Sequence, residues 1–397
     1  MEKQLIPQLR FSEFEREWNS IKIGEIGKPS MCKRIMKDQT LSVGDIPFYK
    51  IGTFGKEADA YISNDLYIEY KTKFSFPKKG DILISASGTI GRTVIYDGKP
   101  AFFQDSNIVW IANNEEKVLN TLLVYSYENV RWTTENTTIA RLYNDNLKNI
   151  SIAVPNLPEQ QKIASFLLDV DDKITKLTKK KTLLEQYKKG IMQKIFNQES
   201  RFKDENGNEF SEWEVKRLGS IGSIVSGLTY SPNDINENGV LVLRSSNVKK
   251  RLIALNDNVF VNVEEGKFNP VELNDILICV RNGSKRLIGK NAIIKEEHIG
   301  LAFGAFMTVY RSKYNRFLFH FFDSQHYKKE VHKNLGATIN SINGGDLKKF
   351  KVPFPCIAEQ TKIANFLSDI DLKIEALNNK IDNSKNFKKG LLQKMFV

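Results

Sequence analysis

The chain contains nearly the same stretch of sequence twice, "PEQQKIASFLLDVDDKITKL" from Pro158 and "AEQTKIANFLSDIDLKIEAL" from Ala358. When residues 155–196 are aligned without a gap with residues 355–396, 20 of the 42 positions are identical. Weaker matches continue upstream, so the similarity extends well beyond these segments. The chain is therefore predicted to consist of two halves, each a divergent body of about 150 residues followed by a well-matched segment of about 40 residues.

The repeated segments are predicted to be long helices that pair with each other. Their apolar residues recur at intervals of four and three, the spacing of a heptad seam, and lysines 181, 188 and 388 interrupt that seam. Each helix would be roughly 55 Å long at 1.5 Å per residue. Because the two seams match position for position, we favour pairing between them, with packing on the helix's own body or on a partner as alternatives. The seam residues are Ile163, Leu167, Val170, Ile174, Leu177, Leu184 and Ile191, and then Ile363, Leu367, Ile370, Ile374, Leu377, Ile381 and Leu391.

The two bodies are predicted to mix strands and short helices. Strand-like runs such as "DILISASGTIGRTVIY" (81–96) and "AFFQDSNIVWI" (101–111) are broken by Gly, Asp and Lys-Pro, and "NDILICV" (274–280) repeats the first of them. Short helices are predicted at 116–131 and 315–335. The predicted organisation is a first body at 1–154, a central helix at 155–200, a second body at 201–352 and a distal helix at 353–397.

Composition points to a polyanionic partner. The 397 residues include 59 Lys and Arg against 47 Asp and Glu, a net charge of +12. No run of eighteen apolar residues occurs, and the start of the sequence is too polar for a signal peptide. Cys32, Cys279 and Cys356 are scattered without metal-ligand spacing, which fits a reducing cytoplasm and no structural zinc.

No catalytic signature is found. The sequence has no P-loop, no glycine-rich dinucleotide or S-adenosylmethionine fingerprint, and neither tetrapeptide expected of an adenine methyltransferase. Asp105 followed by "EEK" at 115–117 has a nuclease-like spacing, but the second half has no equivalent. His298, His320, His326 and His332 are better explained as surface or core residues than as ligands. We therefore predict that this chain is not an enzyme and holds no metal.

Three polar loops recur in both halves with different side chains. They are the residues around Lys50 and Arg244, "SASGTIGR" (85–92) against "CVRNGSKRLIGK" (279–290), and "TTIARLYNDNL" (137–147) against "ATINSINGGDL" (337–347). Arginine can bind guanine with two hydrogen bonds, whereas Ser and Asn serve several bases. Each loop alone could be an ordinary solvated turn, but recurrence of all three favours two readers of different DNA sequences. The candidate DNA-binding residues are Lys50, Ser85, Ser87, Thr89, Arg92, Arg141 and Tyr143 in the first half, and Arg244, Ser246, Asn247, Arg281, Asn282, Lys285, Arg286, Asn340 and Ser341 in the second.

Motifs along nearly the whole chain resemble those of one family. They include the openings "P-x-x-(P/A)-E-Q-x-K-I-A-x-F-L" at 155–167 and 355–367, the "KKG…QK" endings, and "W-x-x-x-x-(I/L)-G-x-I-G" before each body. "GDILISASGTIGR" (80–92) also reads like a target-recognition domain. Together these features resemble the specificity subunits of type I restriction–modification systems. The second body departs from the pattern where "CVRNGSKR" replaces the Ser-x-Gly-Thr form.

The resemblance implies an α+β fold, with two mixed α/β target-recognition domains separated by two long antiparallel helices and related by a pseudo-twofold internal repeat. Each domain would read one half of a split site in double-stranded DNA, and the helices would set the gap. The implied partners are two modification subunits and the restriction subunits, in the cytoplasm and without a membrane. S-adenosylmethionine, ATP and Mg would be bound by those partners, and no cofactor by this chain.

Two other functions remain open from sequence alone. One is a stand-alone DNA-binding regulator with two recognition domains, although no helix-turn-helix signature supports it. The other is a scaffold whose duplicated helices recruit two identical protein partners. A DNA reader should lose affinity steeply with salt, whereas a protein scaffold need not.

Overall fold

The computed structural model describes residues 4–130, 132, 141–264, 266–335 and 340–397. The chain divides into two compact units, hereafter the first unit (Met1–Thr178 with Asn379–Val397) and the second unit (Lys179–Asn378). The two boundaries between the units, after Thr178 and after Asn378, both lie within the long helices. Each unit therefore consists of one body, part of one long helix and part of the other.

The first unit contains short strands and short helices that precede a long helix. Its sheets have the strand orders β2-β8-β5-β6, β4-β3-β7 and β1-β9, and β3 pairs with β7 in parallel. The central strands β5 and β8 are buried because their sequences, "ILIS" and "IVWI", are almost continuously apolar. The elements are β1 Asn19–Lys22, α1 Ile23–Ile26, β2 Gly27–Ser30, β3 Ile46–Tyr49, β4 Tyr61–Ile62, α2 Asn64–Lys73, β5 Ile82–Ser85, β6 Thr93–Ile95, β7 Phe102–Phe103, β8 Ile108–Asn113, α3 Asn120–Asn129, α4 Asn144–Asn149, β9 Ser151–Val154 and α5 Leu157–Phe196.

The second unit repeats this topology. Its sheets include the orders β11-β19-β16-β17, β15-β12-β18 and β10-β20, and β12 pairs with β18 in parallel as β3 does with β7. The predicted α+β fold is confirmed. The two halves that are similar in sequence also have the same order of strands in their sheets. The elements are β10 Glu214–Arg217, α6 Leu218–Ile221, β11 Ser223–Ser226, β12 Ile235–Leu243, β13 Val248–Lys249, β14 Leu252–Ile253, β15 Phe260–Val261, β16 Ile276–Cys279, β17 Asn291–Ile293, β18 Ala302–Phe303, β19 Met307–Arg311, α7 Asn315–Phe321, α8 Gln325–Asn334, α9 Gly344–Lys349, β20 Lys351–Phe354 and α10 Ile357–Met395.

The helix predicted at 315–335 is divided into two helices in the structure. The sequence pattern suggested a continuous helix over 315–335, but the structure has α7 and α8 with a break at residues 322–324. Ser324 caps the second helix, since its hydroxyl accepts a hydrogen bond from the Tyr327 amide at 3.3 Å. A serine cap satisfies an amide that would otherwise lack a partner, and it therefore starts a new helix where periodicity alone predicts continuation.

The long helices run antiparallel in each unit. In the first unit, Ile163 and Leu167 of α5 share a core with Leu391 and Met395 of α10. In the second unit, the end of α5 packs in the same way on the beginning of α10. The predicted pairing of the seams is confirmed by these buried contacts.

The lysines that interrupt the seam bind carboxylates of the opposite helix. Lys388 Nζ lies 2.9 Å from Asp171 Oδ1 in the first unit, and Lys188 Nζ lies 2.5 Å from Asp371 Oδ1 in the second. These are equivalent pairs, because each residue is 200 positions from its counterpart. An ion pair at a seam position fixes the register of two helices more than it stabilises them.

The repeated Glu-Gln of each helix opening anchors the chain that leads into each body. Glu159 is fully buried and accepts two hydrogen bonds from the Arg10 guanidinium, both at 2.7 Å, and one from Trp18 Nε1. Glu359 accepts hydrogen bonds in the same manner from Arg201 and Trp213. A buried carboxylate needs such partners, which explains why the tryptophan before each body and the glutamate after it both occur twice.

Candidate nucleic-acid interface

The predicted loops of the first unit meet at the ends of β3, β5 and β7. Backbone hydrogen bonds join them: the Ala86 amide donates to the Asn107 carbonyl at 2.8 Å, and the Leu142 amide donates to the Ala86 carbonyl at 2.9 Å. We call the described residues 50–54, 85–92, 104–107 and 141–143 the first loop cluster. Residues 137–140 of the predicted third loop lie outside the described residues.

Several side chains of the first loop cluster are presented on this backbone frame. Ser87 Oγ donates to Asn107 Oδ1 at 2.9 Å, and Arg141 Nη2 donates to the Ser106 carbonyl at 2.9 Å. Thr89 is exposed at the tip of its loop, and Tyr143 is 44% exposed. Polar groups fixed in this way are preorganised for contact with an edge of a base.

Two predicted residues of the first unit face inward. Ser85 is fully buried, and its hydroxyl accepts a hydrogen bond from the Arg92 amide and donates one to the Thr89 carbonyl at 2.5 Å. Arg92 Nη2 donates to the Ile51 carbonyl at 3.1 Å, and its guanidinium lies 5.2 Å from the centre of the Phe54 ring. Ser85 therefore closes its own loop, and Arg92 braces the neighbouring loop. Neither side chain is presented to a ligand in this structure.

The second unit brings the equivalent loops together. The Asn282 amide donates to the Asn340 carbonyl at 3.2 Å, and Asn282 Nδ2 donates to Ser245 Oγ at 3.0 Å. The Arg281 amide donates to the Phe306 carbonyl at 3.1 Å. We call the described residues 244–247, 280–284, 304–306 and 340–342 the second loop cluster. Residues 337–339 of its third loop lie outside the described residues.

The second loop cluster presents a different set of side chains. Arg281 is exposed, with its guanidinium 5.6 Å from the centre of the exposed Phe306 ring. Asn340 Nδ2 donates to the Gly283 carbonyl at 2.9 Å, and Ser341 forms a backbone bridge with Arg281. The cluster therefore places a phenylalanine beside an arginine and two asparagines, where the first cluster combines Arg141 and Tyr143 with the hydroxyls of Ser87 and Thr89.

Two predicted residues of the second unit are also internal. Asn247 is fully buried, and its Nδ2 donates to the carbonyls of Ala254 and Asp257, both at 3.1 Å. The Ser246 hydroxyl oxygen is buried and has no hydrogen-bond partner in the part of the chain that the structure describes. Asn247 holds the loop after β12 closed, and this buried position removes it from the set of base-reading candidates.

Lys50 and Arg244 occupy equivalent positions, as the sequence register predicted. Each follows a strand whose last residue pairs in parallel with a phenylalanine, Tyr49 with Phe103 and Leu243 with Phe303. Lys50 Nζ lies 2.8 Å from Asp59 Oδ1, and Arg244 Nη2 lies 3.1 Å from Asp257 Oδ1. All four side chains are partly exposed, and such surface ion pairs contribute at most about 1 kcal/mol, so either cation can exchange its carboxylate for a phosphate.

Lys285 and Arg286 line a basic groove with helix α8. Both are exposed on a short 3-10 turn, and α8 contributes Lys328, Lys329 and Lys333. The groove has a volume of about 870 Å³. These cations are suited to a phosphate backbone, because they are exposed and the ion pairs of Lys328 with Asp323 and of Lys333 with Glu330 are weak surface pairs that a phosphate can replace.

Sequence reasoning missed a fourth loop in each cluster and one lysine. The chain between β7 and β8 (104–107) and between β18 and β19 (304–306) supplies Asn107 and Phe306 to the clusters. Lys290 Nζ donates to the Ser245 carbonyl at 3.1 Å, as Arg92 does to Ile51. The sequence contained a signal for Lys290, since both Ile-Gly pairs are followed by a basic residue. In the structure both glycines have φ of +82°.

The rejected catalytic candidates have structural roles. Asp105 accepts a hydrogen bond from Arg34 Nε at 2.9 Å, and His298 and His320 are buried. Within the described ranges, no group of three or more His, Cys, Asp or Glu side chains is arranged to hold a metal ion. In the same ranges, no helix is long and apolar enough to cross a membrane.

Two units of one topology, each with a loop cluster of different chemistry, define a protein built as an internal structural repeat. Residues 15–186 and 210–384 match the type I restriction modification DNA specificity domain, and the chain belongs to that family. It is thus a DNA-recognition protein of type I restriction–modification systems, and the alternatives of a stand-alone regulator or a protein scaffold are not favoured.

Related sequences agree with this family, and a solved structure agrees with the fold. A putative type I restriction enzyme specificity subunit, S.HindORF215P of Haemophilus influenzae, is 62% identical over 159 residues, which is 40% of each chain. The MjaVIII specificity subunit of Methanocaldococcus jannaschii is 27% identical over 399 residues, 95% of this chain and 91% of that one. The crystal structure of a type I S subunit from M. genitalium shares the fold, with a TM-score of 0.64, 17% identity, and coverage of 98% of this chain and 99% of that one.

Proposed function

We propose that this chain reads a split DNA site, one half with each loop cluster, and positions partner subunits on that site. The observation that carries the proposal is the convergence of the same loops in both units with different side chains. Arg141, Ser87 and Thr89 would contact the first half-site, and Arg281, Asn282 and Asn340 the second. Because the clusters differ in chemistry, the two half-sites should differ in sequence.

Affinity comes mainly from cations outside the base-reading positions. Lys50 and Arg244 are held by weak surface ion pairs, and Lys328, Lys329 and Lys333 are exposed on α8. Contacts of this kind fix a protein on the duplex and give binding its salt dependence, while base-edge contacts select the sequence.

Chemistry takes place on partner subunits. Two modification subunits would bind S-adenosylmethionine, flip one adenine from each half-site and methylate its exocyclic nitrogen, and flipping is needed because that atom must enter a catalytic pocket. Restriction subunits would use ATP and Mg to translocate and cut unmethylated DNA. This chain would bind no cofactor and would act in the cytoplasm. The long helices, which pass from one unit into the other, would set the gap between the half-sites.

An adenine-methylation map of the source genome, with and without this chain, tests the proposal. Deletion should abolish methylation at one split motif, and re-expression of the chain should restore it. Re-expression of Arg281→Ser should change the second half of the motif only, and Arg141→Ser should change the first half only. A map that deletion leaves unchanged would refute the proposal, and so would a change of both halves by a single substitution.

A further inference from the structure

An aromatic side chain stands exposed in the middle of the second loop cluster. The Phe306 side chain is 58% exposed, although its backbone is held firmly. Its carbonyl accepts hydrogen bonds from the Val280 amide at 3.0 Å and the Arg281 amide at 3.1 Å, and the Met307 amide closes the turn on the Gly304 carbonyl at 2.8 Å. Single exposed apolar side chains are common on protein surfaces, but this ring projects from a fixed backbone in the middle of the loop cluster, where a contact with a ligand gives it a role.

The surroundings of Phe306 belong to a DNA-reading surface. The exposed Arg281 guanidinium lies 5.6 Å from the centre of the ring, and Arg281 forms a backbone bridge with Ser341. Asn282, next in the chain, is joined to Asn340 and Ser245. Within the described residues, the ring lies beside a cation, and the same loop cluster carries the amides of Asn282 and Asn340, which are donors suited to base edges.

The first unit has no such ring at the corresponding place. Its loop between β7 and β8 is "QDSN" (104–107), and these side chains are bound locally: Gln104 accepts from the Ile51 amide at 3.0 Å, Asp105 from Arg34 and Asn107 from Ser87. The first loop cluster carries its exposed aromatic residue, Tyr143, on a different loop. Of the two equivalent loops, β7–β8 and β18–β19, it is the one of the second unit that carries an exposed ring.

We propose that Phe306 selects a thymine in the second half-site by packing its ring against the C5-methyl group in the major groove. This inference rests on the proposed function. Thymine is the only unmodified base with a methyl group in that groove, and a phenylalanine ring is one of the apolar partners that contacts it. Arg281 beside the ring donates to the neighbouring base or phosphate, and the ring excludes water from that contact.

The test removes one methyl group from the DNA. Each thymine of the second half-site is replaced in turn by deoxyuridine, and binding of the duplex to the complex of this chain with its modification subunits is measured by competition. The wild-type complex should lose affinity about fivefold at one position, the effect of one buried methyl group. The complex with Phe306→Ser should bind the thymine duplex more weakly and should not distinguish thymine from deoxyuridine there.

Two controls isolate the contact. Phe306→Leu, which keeps an apolar side chain, should retain most of the discrimination, and deoxyuridine in the first half-site should affect wild-type and variant equally. A wild-type complex that binds its site but ignores deoxyuridine at every second-half thymine overturns the inference. Full discrimination by Phe306→Ser overturns it as well, as does a defect confined to assembly with the modification subunits. If the wild-type complex binds no split site at all, the proposed function fails instead.

Discussion

Arg92 and Lys290 end the two copies of an Ile-Gly-basic motif and make the same contact. Each donates to the backbone carbonyl that follows the equivalent cations Lys50 and Arg244, in both cases at 3.1 Å. The contact forms in both units although one residue is arginine and the other lysine. We infer that the basic residue of this motif positions the loop after β3 or β12 and does not itself read a base.

Substitution of Arg92 separates positioning from phosphate binding. Arg92→Ala should relax base preference in the first half-site and weaken binding by about 1–2 kcal/mol, because the Ile51 carbonyl loses its donor. Arg92→Lys should restore both, since lysine makes this contact in the second unit. The measurement is selection from duplexes with a randomised first half-site at two salt concentrations. If the slope of log affinity against log salt instead becomes shallower by about one phosphate contact while base preference is intact, Arg92 contacts the DNA backbone.

His320 occupies the place that Tyr125 has in the first unit. Both lie beside the Lys–Asp pair of the long helices: the Tyr125 hydroxyl donates to Asp171 at 2.9 Å, and His320 Nδ1 lies 3.9 Å from Asp371. Burial lowers the pKa of His320 well below its usual value, and the positive charges of Lys188 and Arg251 lower that pKa further, while Asp323 opposes them. His320 is therefore neutral in the folded protein.

A buried neutral histidine makes stability depend on pH. The unfolded chain takes up a proton on this histidine below about pH 6.5, and the folded chain does not, so the free energy of unfolding should fall as pH drops from 7.5 to 5.5. His320→Gln should reduce that loss, measured as the change in thermal midpoint of the full chain between the two pH values. A smaller loss should persist because burial also lowers the pKa of His298 and His326. An equal loss in His320→Gln would assign the pH dependence to other groups.

Residue register was predictable from the sequence, but side-chain direction was not. The equivalence of Lys50 and Arg244 followed from counting along matched strands. The parallel pairing of β3 with β7 and of β12 with β18 confirms it. The inward orientation of Ser85, Arg92 and Asn247 depends on how each loop closes. Loop closure is decided by individual hydrogen bonds, such as those of Arg92 to Ile51 and of Asn247 to Ala254, and the hydrophobic periodicity of the sequence does not predict them.

At the scale of elements, the long helices were the most predictable part of the chain. Their heptad spacing marks the buried face, and α5 and α10 match the predicted segments within a few residues. The carboxylate partners of the seam lysines were not predicted, because Asp371 is 183 residues from Lys188. Periodicity identifies which face of a helix is buried, whereas an ion pair across helices requires their register.

Helix α8 offers a test of where salt-dependent affinity arises. The exposed Lys328, Lys329 and Lys333 line the basic groove with Lys285 and Arg286. Replacing the three lysines of α8 by glutamine should make the plot of log affinity against log salt shallower by up to about three phosphate contacts, with the base preference of both half-sites unchanged. Replacing Lys176, Lys180 and Lys189 of α5 by glutamine provides a control of equal charge. An equal change in the control would show that the effect reflects net charge and not a contact by α8.

At the scale of the whole molecule, duplication was predictable and the sharing of helices was not. The two halves of the sequence are visibly similar, and this similarity predicts two bodies of the same fold. A heptad seam, however, is compatible with several partners, and it does not reveal that each compact unit contains parts of both long helices. The anchors formed by Glu159 with Trp18 and by Glu359 with Trp213 tie each body to the start of the helix that follows it.

These anchors indicate where one body can be replaced by the other in a chimeric chain. Residues 18–154 should be able to replace residues 213–354, because Trp18 and Trp213 make the same contact and β9 and β20 end at equivalent positions. The resulting chain carries the first loop cluster twice, and we expect its methylation map to show the first half-site twice. The reciprocal exchange should give the second half-site twice, which guards against one chimera failing to fold. A motif that keeps two different halves would show that base selection does not reside in the bodies, since each half-site would then be determined by sequence that the exchange left in place.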